Sequence, residues 1–259
     1  MADNNENNGR FVWYENLTNN SDAAIKFYTK VMGWKTQPFA EDDDYVMWVS
    51  EQGPIGGVMK LPAEAVKIGA RPNWMAHVQV ENVDSTVSLA KKLGAEVYTE
   101  PTDIPKVGRF AVIADPQGAT ISIFTPAEAM SLHDSSKAGE FCWNELMTSD
   151  NFAAFEFYSQ IFGWKVVQDM DMGPIGTYRV FGKGDKQLGG MMKTPKDSRM
   201  PPMWLFYTET SDLEAAVARA IESGATVMNG PMDVPGGGRI AQLSDPQGAT
   251  FALHQSPKK

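Results

Sequence analysis

The chain has 259 residues, 42% of them hydrophobic and 21% charged, with a net charge of −9. That composition excludes a disordered, collagen-like or coiled-coil chain and fits one large or two small globular domains. The acidic excess is spread out apart from the run Glu41-Asp42-Asp43-Asp44, which argues against nucleic acid or an anionic membrane as partner.

The single cysteine, Cys142, rules out an intrachain disulfide. No apolar run approaches the roughly 18 residues of a spanning helix. Residues 1–9 carry neither a basic start nor an apolar stretch, so a short disordered lead and a cytoplasmic location are expected.

In chain order, residues 11–17 alternate as a strand does. Asn20, Ser21 or Asp22 is placed to cap a helix over about 22–32, with Ala24, Phe27, Tyr28 and Val31 on one face. Gly33 stops it. Short β-rich runs follow near 34–38, 45–50 and 56–60, then an alternating strand at 74–81. A second helix is predicted over 84–93, starting at Asp84 and ended by Gly94. Strands at 96–99, 109–114 and 119–124 complete the series, the last two joined by the turn Asp115-Pro116-Gln117-Gly118. The proline-flanked segments Pro101–Pro105 and Pro231–Pro235 read as loops.

The series then repeats. Shifted by 130 residues, Trp13 falls on Trp143, Glu15 on Glu145, Phe27-Tyr28 on Phe157-Tyr158, Gly33-Trp34-Lys35 on Gly163-Trp164-Lys165, and Trp74 on Trp204. The stretch Asp115–Thr120 recurs whole as Asp245–Thr250. Only the middle slips, Gly56-Gly57 matching Gly189-Gly190 at a shift of 133, so the second copy has a longer loop before that pair. The order β-α-β-β-β occurs four times. Two domains are expected, at 10–126 and 139–255, joined by a linker over 127–138.

These motifs resemble the vicinal oxygen chelate superfamily, the group of glyoxalases, bleomycin-resistance proteins and extradiol dioxygenases. They are closest to its two-domain, glyoxalase-like bacterial proteins. The resemblance implies an α+β fold of tandem duplicated domains. Each domain would pair two βαβββ modules into a half-open curved sheet around a cavity. It also implies, for metal-dependent members, His on the first strand, His on the fifth and Glu on the last. Those positions carry Trp13, Met75 and Ser122 in the first copy and Trp143, Leu205 and Ala252 in the second. No cofactor is therefore expected. A substitute metal site from Glu145, Glu209 and His254 has acceptable ligand types but no supporting spacing.

Strand alternation sorts the cavity faces. Phe11, Trp13, Glu15 and Leu17 point one way, matched by Phe141, Trp143, Glu145 and Met147. The expected first cavity holds Glu15, His77, Gln79 and Ser122 between aromatic walls; the second holds Glu145, Tyr207, Glu209 and His254. Trp13, Trp74, Trp143 and Trp204 are candidate ligand-binding residues. Glu15 and Glu145 either pair with something structural, such as Arg109 and Arg239, or face a ligand as candidate bases; His77 and Tyr207 are candidate groups to polarise an oxygen. Cys142 is expected to turn away from Trp143, towards a helix, as an inert thiol.

Three readings follow. The first is a metal-independent lyase, isomerase or hydrolase acting on a small apolar or carbonyl-bearing molecule. The second is a drug-sequestering binding protein, and the third a scaffold with filled cavities. The duplication makes a monomer with an internal pseudo-dimer, or a homodimer, the expected assembly.

Overall fold

The computed structural model describes residues 7–40, 42–195 and 200–257. The four modules appear in order. The first runs β1 (Phe11–Thr18), α1 (Ser21–Met32), β2 (Lys35–Phe39), β3 (Asp42–Ser50) and β4 (Gly53–Lys60), followed by a short helix α2 (Ala63–Lys67). The second is β5 (Asn73–Gln79), α3 (Val83–Lys92), β6 (Glu96–Ile104), β7 (Gly108–Ala114) and β8 (Thr120–Pro126). The third is β9 (Phe141–Thr148), α4 (Asn151–Phe162), β10 (Lys165–Asp171), β11 (Thr177–Lys183) and β12 (Lys186–Lys193). The fourth is β13 (Met203–Glu209), α5 (Leu213–Glu222), β14 (Thr226–Asp233), β15 (Arg239–Ser244) and β16 (Thr250–Gln255).

Each repeat forms one eight-stranded mixed sheet, in the orders β2-β3-β4-β1-β5-β8-β7-β6 and β10-β11-β12-β9-β13-β16-β15-β14. The α+β architecture of tandem βαβββ pairs is as the sequence implies. Among the described residues no helix is long and apolar enough to cross a membrane.

Local chemistry explains the boundaries. Asn20 Oδ1 accepts the Ala23 amide at 3.0 Å, and Gly33, at φ 76°, closes α1 by donating to Thr29 O. The second helix is capped two residues earlier than expected, by Asn82, whose Oδ1 takes the Ser85 amide at 2.8 Å; Asp84 lies in its first turn. The expected loops at Pro101 and Pro231 are instead parts of β6 and β14. Both are edge strands, and the pairing slips at each proline, between Thr99 and Thr102 and between Asn229 and Met232. An edge position with a bulge tolerates a residue that cannot donate to the ladder. The extra residues of the second copy form a 3-10 turn at Gly173–Ile175.

Contacts gather the chain into two compact units that cut across the sequence repeat. One holds Trp13–Met75, His133–Cys142 and residues from Leu205 onward, thus most of the first module and the fourth. The other holds residues up to Val12, Ala76–Leu132 and Trp143–Trp204, the second module and the third. In the former, Tyr28 is fully buried among Trp34, Trp48, Trp74 and Phe251. Its hydroxyl donates to Asp245 Oδ2 at 2.9 Å and accepts from Trp74 Nε1 at 2.8 Å. Asp245 Oδ1 accepts the Gln247 and Ala249 amides at 2.8 and 2.9 Å, which folds the DPQGAT turn. Burial, reinforced by the Asp245 charge, holds the Tyr28 phenol far above its ordinary pKa, so it stays a donor.

The other unit repeats the theme. Trp204 Nε1 donates to the Tyr158 hydroxyl at 3.2 Å, and Asp115, which shapes its own turn, faces Tyr158. Trp164 and Phe181 pack around them.

Replacing Tyr28 with Phe removes the donor to Asp245 and the acceptor of Trp74 together. Urea unfolding is expected to show a loss of about 1–3 kcal/mol, the usual cost of orphaning buried polar groups. Unchanged stability in Y28F would show that the network contributes nothing net.

Candidate functional site

Trp13 and Glu15 lie on β1 within one unit. An acidic side chain on an apolar strand requires a donor. It is supplied by Tyr45 of β3: Tyr45 donates to Glu15 Oε1 at 3.0 Å and accepts from Trp13 Nε1 at 2.7 Å. The ring reaches Glu15 by crossing Gly57 of β4, the register partner of both Glu15 and Met47. A Cβ at Gly57 would overlap the Tyr45 ring.

The other unit builds the same device. Tyr178 of β11 donates to Glu145 Oε2 at 2.9 Å and accepts from Trp143 Nε1 at 2.8 Å. Gly190, paired with Glu145, gives the Tyr178 ring its space. Burial, then the neighbouring carboxylate, pushes both phenols well above their ordinary pKa, with the indole N–H opposing. Each tyrosine is therefore locked as a proton-bearing bridge between an indole and a carboxylate. The copies differ in exposure: Trp13, Glu15 and Tyr45 are all half-buried, whereas Glu145 is only 6% exposed.

Each carboxylate is thus paired structurally, with a tyrosine, and the arginines suggested for that role have other partners. Arg109 binds Asp84 and Asp103, and Arg239 binds Glu214 and Asp233. The tyrosine partners escaped the sequence reading because they fall on β3 and β11, outside the 130-residue alignment. Their signal was available: Tyr45 and Tyr178 share the 133-residue offset of Gly57 and Gly190.

Other expected site residues sit elsewhere. Trp74 and Trp204 are core residues, 7% and 4% exposed, with their N–H groups given to Tyr28 and Tyr158; their strand faces point into the aromatic clusters. Phe11 packs on Trp164 and Trp204, and Phe141 on Trp34 and Trp74. Trp164 Nε1 donates to Gly9 O, and Trp34 Nε1 to Gly139 O, which draws the starts of β1 and β9 onto those cores rather than into a cavity.

His77, Gln79 and Ser122 belong to the unit that does not contain Glu15. His77 is buried against Phe110 and Phe124 beside its register partner Ser122, whose hydroxyl donates to Ala111 O at 3.2 Å. Gln79 is 3% exposed, and its backbone is bonded to Gly9 and Arg10. Likewise Tyr207, Glu209 and His254 lie in the unit that does not contain Glu145. Gln242 Nε2 donates to the Tyr207 hydroxyl at 2.6 Å, and His254 Nδ1 lies 2.6 Å from Glu209 Oε2. Burial alone would raise the Glu209 carboxyl, but His254 and the Ser256 amide hold it below its usual range. The Cys142 thiol donates to Tyr207 O at 3.4 Å and lies beside Glu209 and His254.

With this geometry in hand, the family model for the Glyoxalase/Bleomycin resistance protein/Dioxygenase superfamily matches residues 10–123 and again 142–253. The chain belongs to that superfamily. Among curated relatives, CFP32 of Mycobacterium tuberculosis, named as a proposed glyoxylase, is 31% identical over 93% of this chain and 92% of its own. The anthracycline biosynthesis protein DnrV of Streptomyces peucetius is 27% identical over 95% and 92%. Among solved structures, an Mn(II)-bound glyoxalase from Novosphingobium aromaticivorans superposes with a TM-score of 0.67 at 13% identity, covering 96% of this chain and 83% of that one. Homoprotocatechuate 2,3-dioxygenase from Arthrobacter globiformis gives 0.67 at 15% identity, covering 95% and 79%. At such identities these structures bear on the fold alone.

The divalent ion of metal-dependent members does not fit the corresponding residues of this chain. An indole nitrogen has no lone pair to give, and Trp13 and Trp143 already donate to tyrosines. Met75, Leu205 and Ala252 offer no hard donor, and the Ser122 hydroxyl is turned to Ala111 O.

If Gly57 exists to admit the Tyr45 ring, Gly57→Ala and Tyr45→Phe act on the same indole. In a ¹H–¹⁵N spectrum, both variants are expected to shift the Trp13 indole resonance and speed its solvent exchange about tenfold or more. A Trp13 resonance unmoved in either variant would contradict the bridge.

Proposed function

We propose that the chain acts on a small carbonyl-bearing molecule held against Trp13, with Glu15 as the base, and without a metal at the family's ligand positions. The duplicated Trp–Tyr–Glu bridge is the observation that carries this reading. A carboxylate fixed by a phenolic donor, itself fixed by an indole, is oriented before any ligand arrives. The half-buried faces of Trp13 and Tyr45 offer an apolar wall with a polar edge, which suits a planar, partly oxygenated ligand.

In the proposed step the substrate is an α-hydroxycarbonyl, such as the hydrate of an α-ketoaldehyde: Glu15 takes the proton from the hydroxyl-bearing carbon and returns it to the carbonyl carbon, while the hydroxyl proton passes through water to the former carbonyl oxygen, so that hydroxyl and carbonyl exchange places and protons balance. Tyr45 keeps its proton throughout and stabilises the carboxylate between transfers. The relatives' names, one concerning a glyoxylase and one anthracycline biosynthesis, support action on a small organic molecule. The less exposed Glu145 makes the second copy the slower or the silent one.

The test is turnover and binding of an α-dicarbonyl and a hydroxyanthraquinone by chelator-treated protein. Saturable tryptophan quenching by a probe, weakened about tenfold or more by Trp13→Ala, is expected. With a turned-over probe, Glu15→Gln is expected to lower the rate about 10²–10⁴-fold while leaving quenching nearly intact. Saturable quenching with no product from either probe would mark sequestration instead. No saturable quenching would remove both readings.

A further inference from the structure

A second constellation lies outside the proposed active residues. Aligned at the 130-residue shift, Val12, Gln79 and Phe124 of the first copy correspond to Cys142, Glu209 and His254 of the second. Three positions that carry no good metal ligand in one copy all carry one in the other. The structure brings the three side chains together: a thiol sulphur, an imidazole nitrogen and a carboxylate oxygen lie within 4.8 Å of one another.

We infer that Cys142, Glu209 and His254 form a divalent-cation site of the zinc class. Each residue comes from a different strand, β9, β13 and β16, and Glu209 and His254 are register partners. Glu209 is held from several directions: its Oε1 accepts the Ser256 amide at 2.8 Å, and its backbone bonds to Gly139 and Glu140. The thiol contacts Tyr207 O at 3.4 Å and also hydrogen-bonds the Glu209 side chain. Zinc bond lengths of about 2.0–2.3 Å place tetrahedral ligands roughly 3.3–3.7 Å apart, so closure needs movements of about an ångström.

The donor set decides the class. Sulphur and imidazole select zinc, cobalt or a similar ion over magnesium or calcium, which prefer oxygen alone. Three protein ligands leave a fourth position for water. On binding, the thiol proton leaves to solvent, as does any proton that occupies the liganding imidazole nitrogen, and the carboxylate keeps its charge. A depression of about 420 Å³ is lined by Gln255 and Ser256, the chain neighbours of His254, and by Asp212, Glu214 and Arg239. The site is not the family's metal position in another guise. Glu209 and His254 lie four and two residues beyond Leu205 and Ala252, roughly 13 and 7 Å along the strands.

Cys142 is the only cysteine, so a thiol reagent reads this site alone. Untagged, chelator-treated full-length protein would be titrated with Co²⁺ and then Zn²⁺. One Co²⁺ per chain, with a sulphur-to-cobalt charge-transfer band in the near ultraviolet that Zn²⁺ bleaches, is expected. Cys142→Ser should abolish the band, and His254→Gln should weaken binding tenfold or more, with circular dichroism confirming the fold. In the unsubstituted protein Zn²⁺ should slow the reaction of Cys142 with a disulfide reagent at least tenfold, and Mg²⁺ should not. Cobalt binding without the sulphur band, or a thiol reactivity indifferent to Zn²⁺, would overturn the assignment whatever the variants do. Because turnover is not read, failure here leaves the role of Glu15 standing.

Discussion

A carboxylate carried on an apolar β-strand must be given a donor or it destabilises the fold by several kcal/mol. In this chain that donor is a tyrosine, itself held by a tryptophan, and the arrangement occurs once in each repeat. Much local structure follows from it. Gly57 and Gly190 are required because the phenol rings cross them.

The same alphabet stabilises the cores. Tyr28 joins Trp74 to the turn aspartate Asp245 as Tyr45 joins Trp13 to Glu15. Indole to phenol to carboxylate is a chain of donors that satisfies three polar groups where water is scarce, and low local dielectric strengthens each link. The two uses differ in exposure. Tyr28 is fully buried, whereas Tyr45 is half-buried beside a half-buried carboxylate.

The fold was legible because duplication displays the βαβββ order four times, and because Asn20, Gly33 and the DPQGAT turns mark boundaries by local chemistry. The proline-bearing segments misled, since a bulge on an edge strand imitates a loop in sequence. The site was half legible. Trp13 and Glu15 stood out on an alternating strand. Tyr45 did not, because the three-residue insertion moves its counterpart out of alignment, and Trp74 misled because an indole is equally at home in a wall or a core. The Cys142 cluster was hidden for a different reason: its three residues converge only when β9, β13 and β16 are placed side by side.

Divergence between the copies is as informative as their likeness. The bridge is retained in both, while Glu145 is more buried than Glu15 and the Cys142 set has no counterpart around Val12. In the proposed function Glu15, oriented by Tyr45, is the group a ligand meets. Carbon-13 NMR of the glutamate carboxyls in chelator-treated protein tests it most directly, with Glu15 assigned by Glu15→Gln. On adding a bound carbonyl probe, the Glu15 carboxyl resonance is predicted to shift and its titration midpoint to move. A Glu15 resonance that ignores a ligand shown to bind would contradict the account.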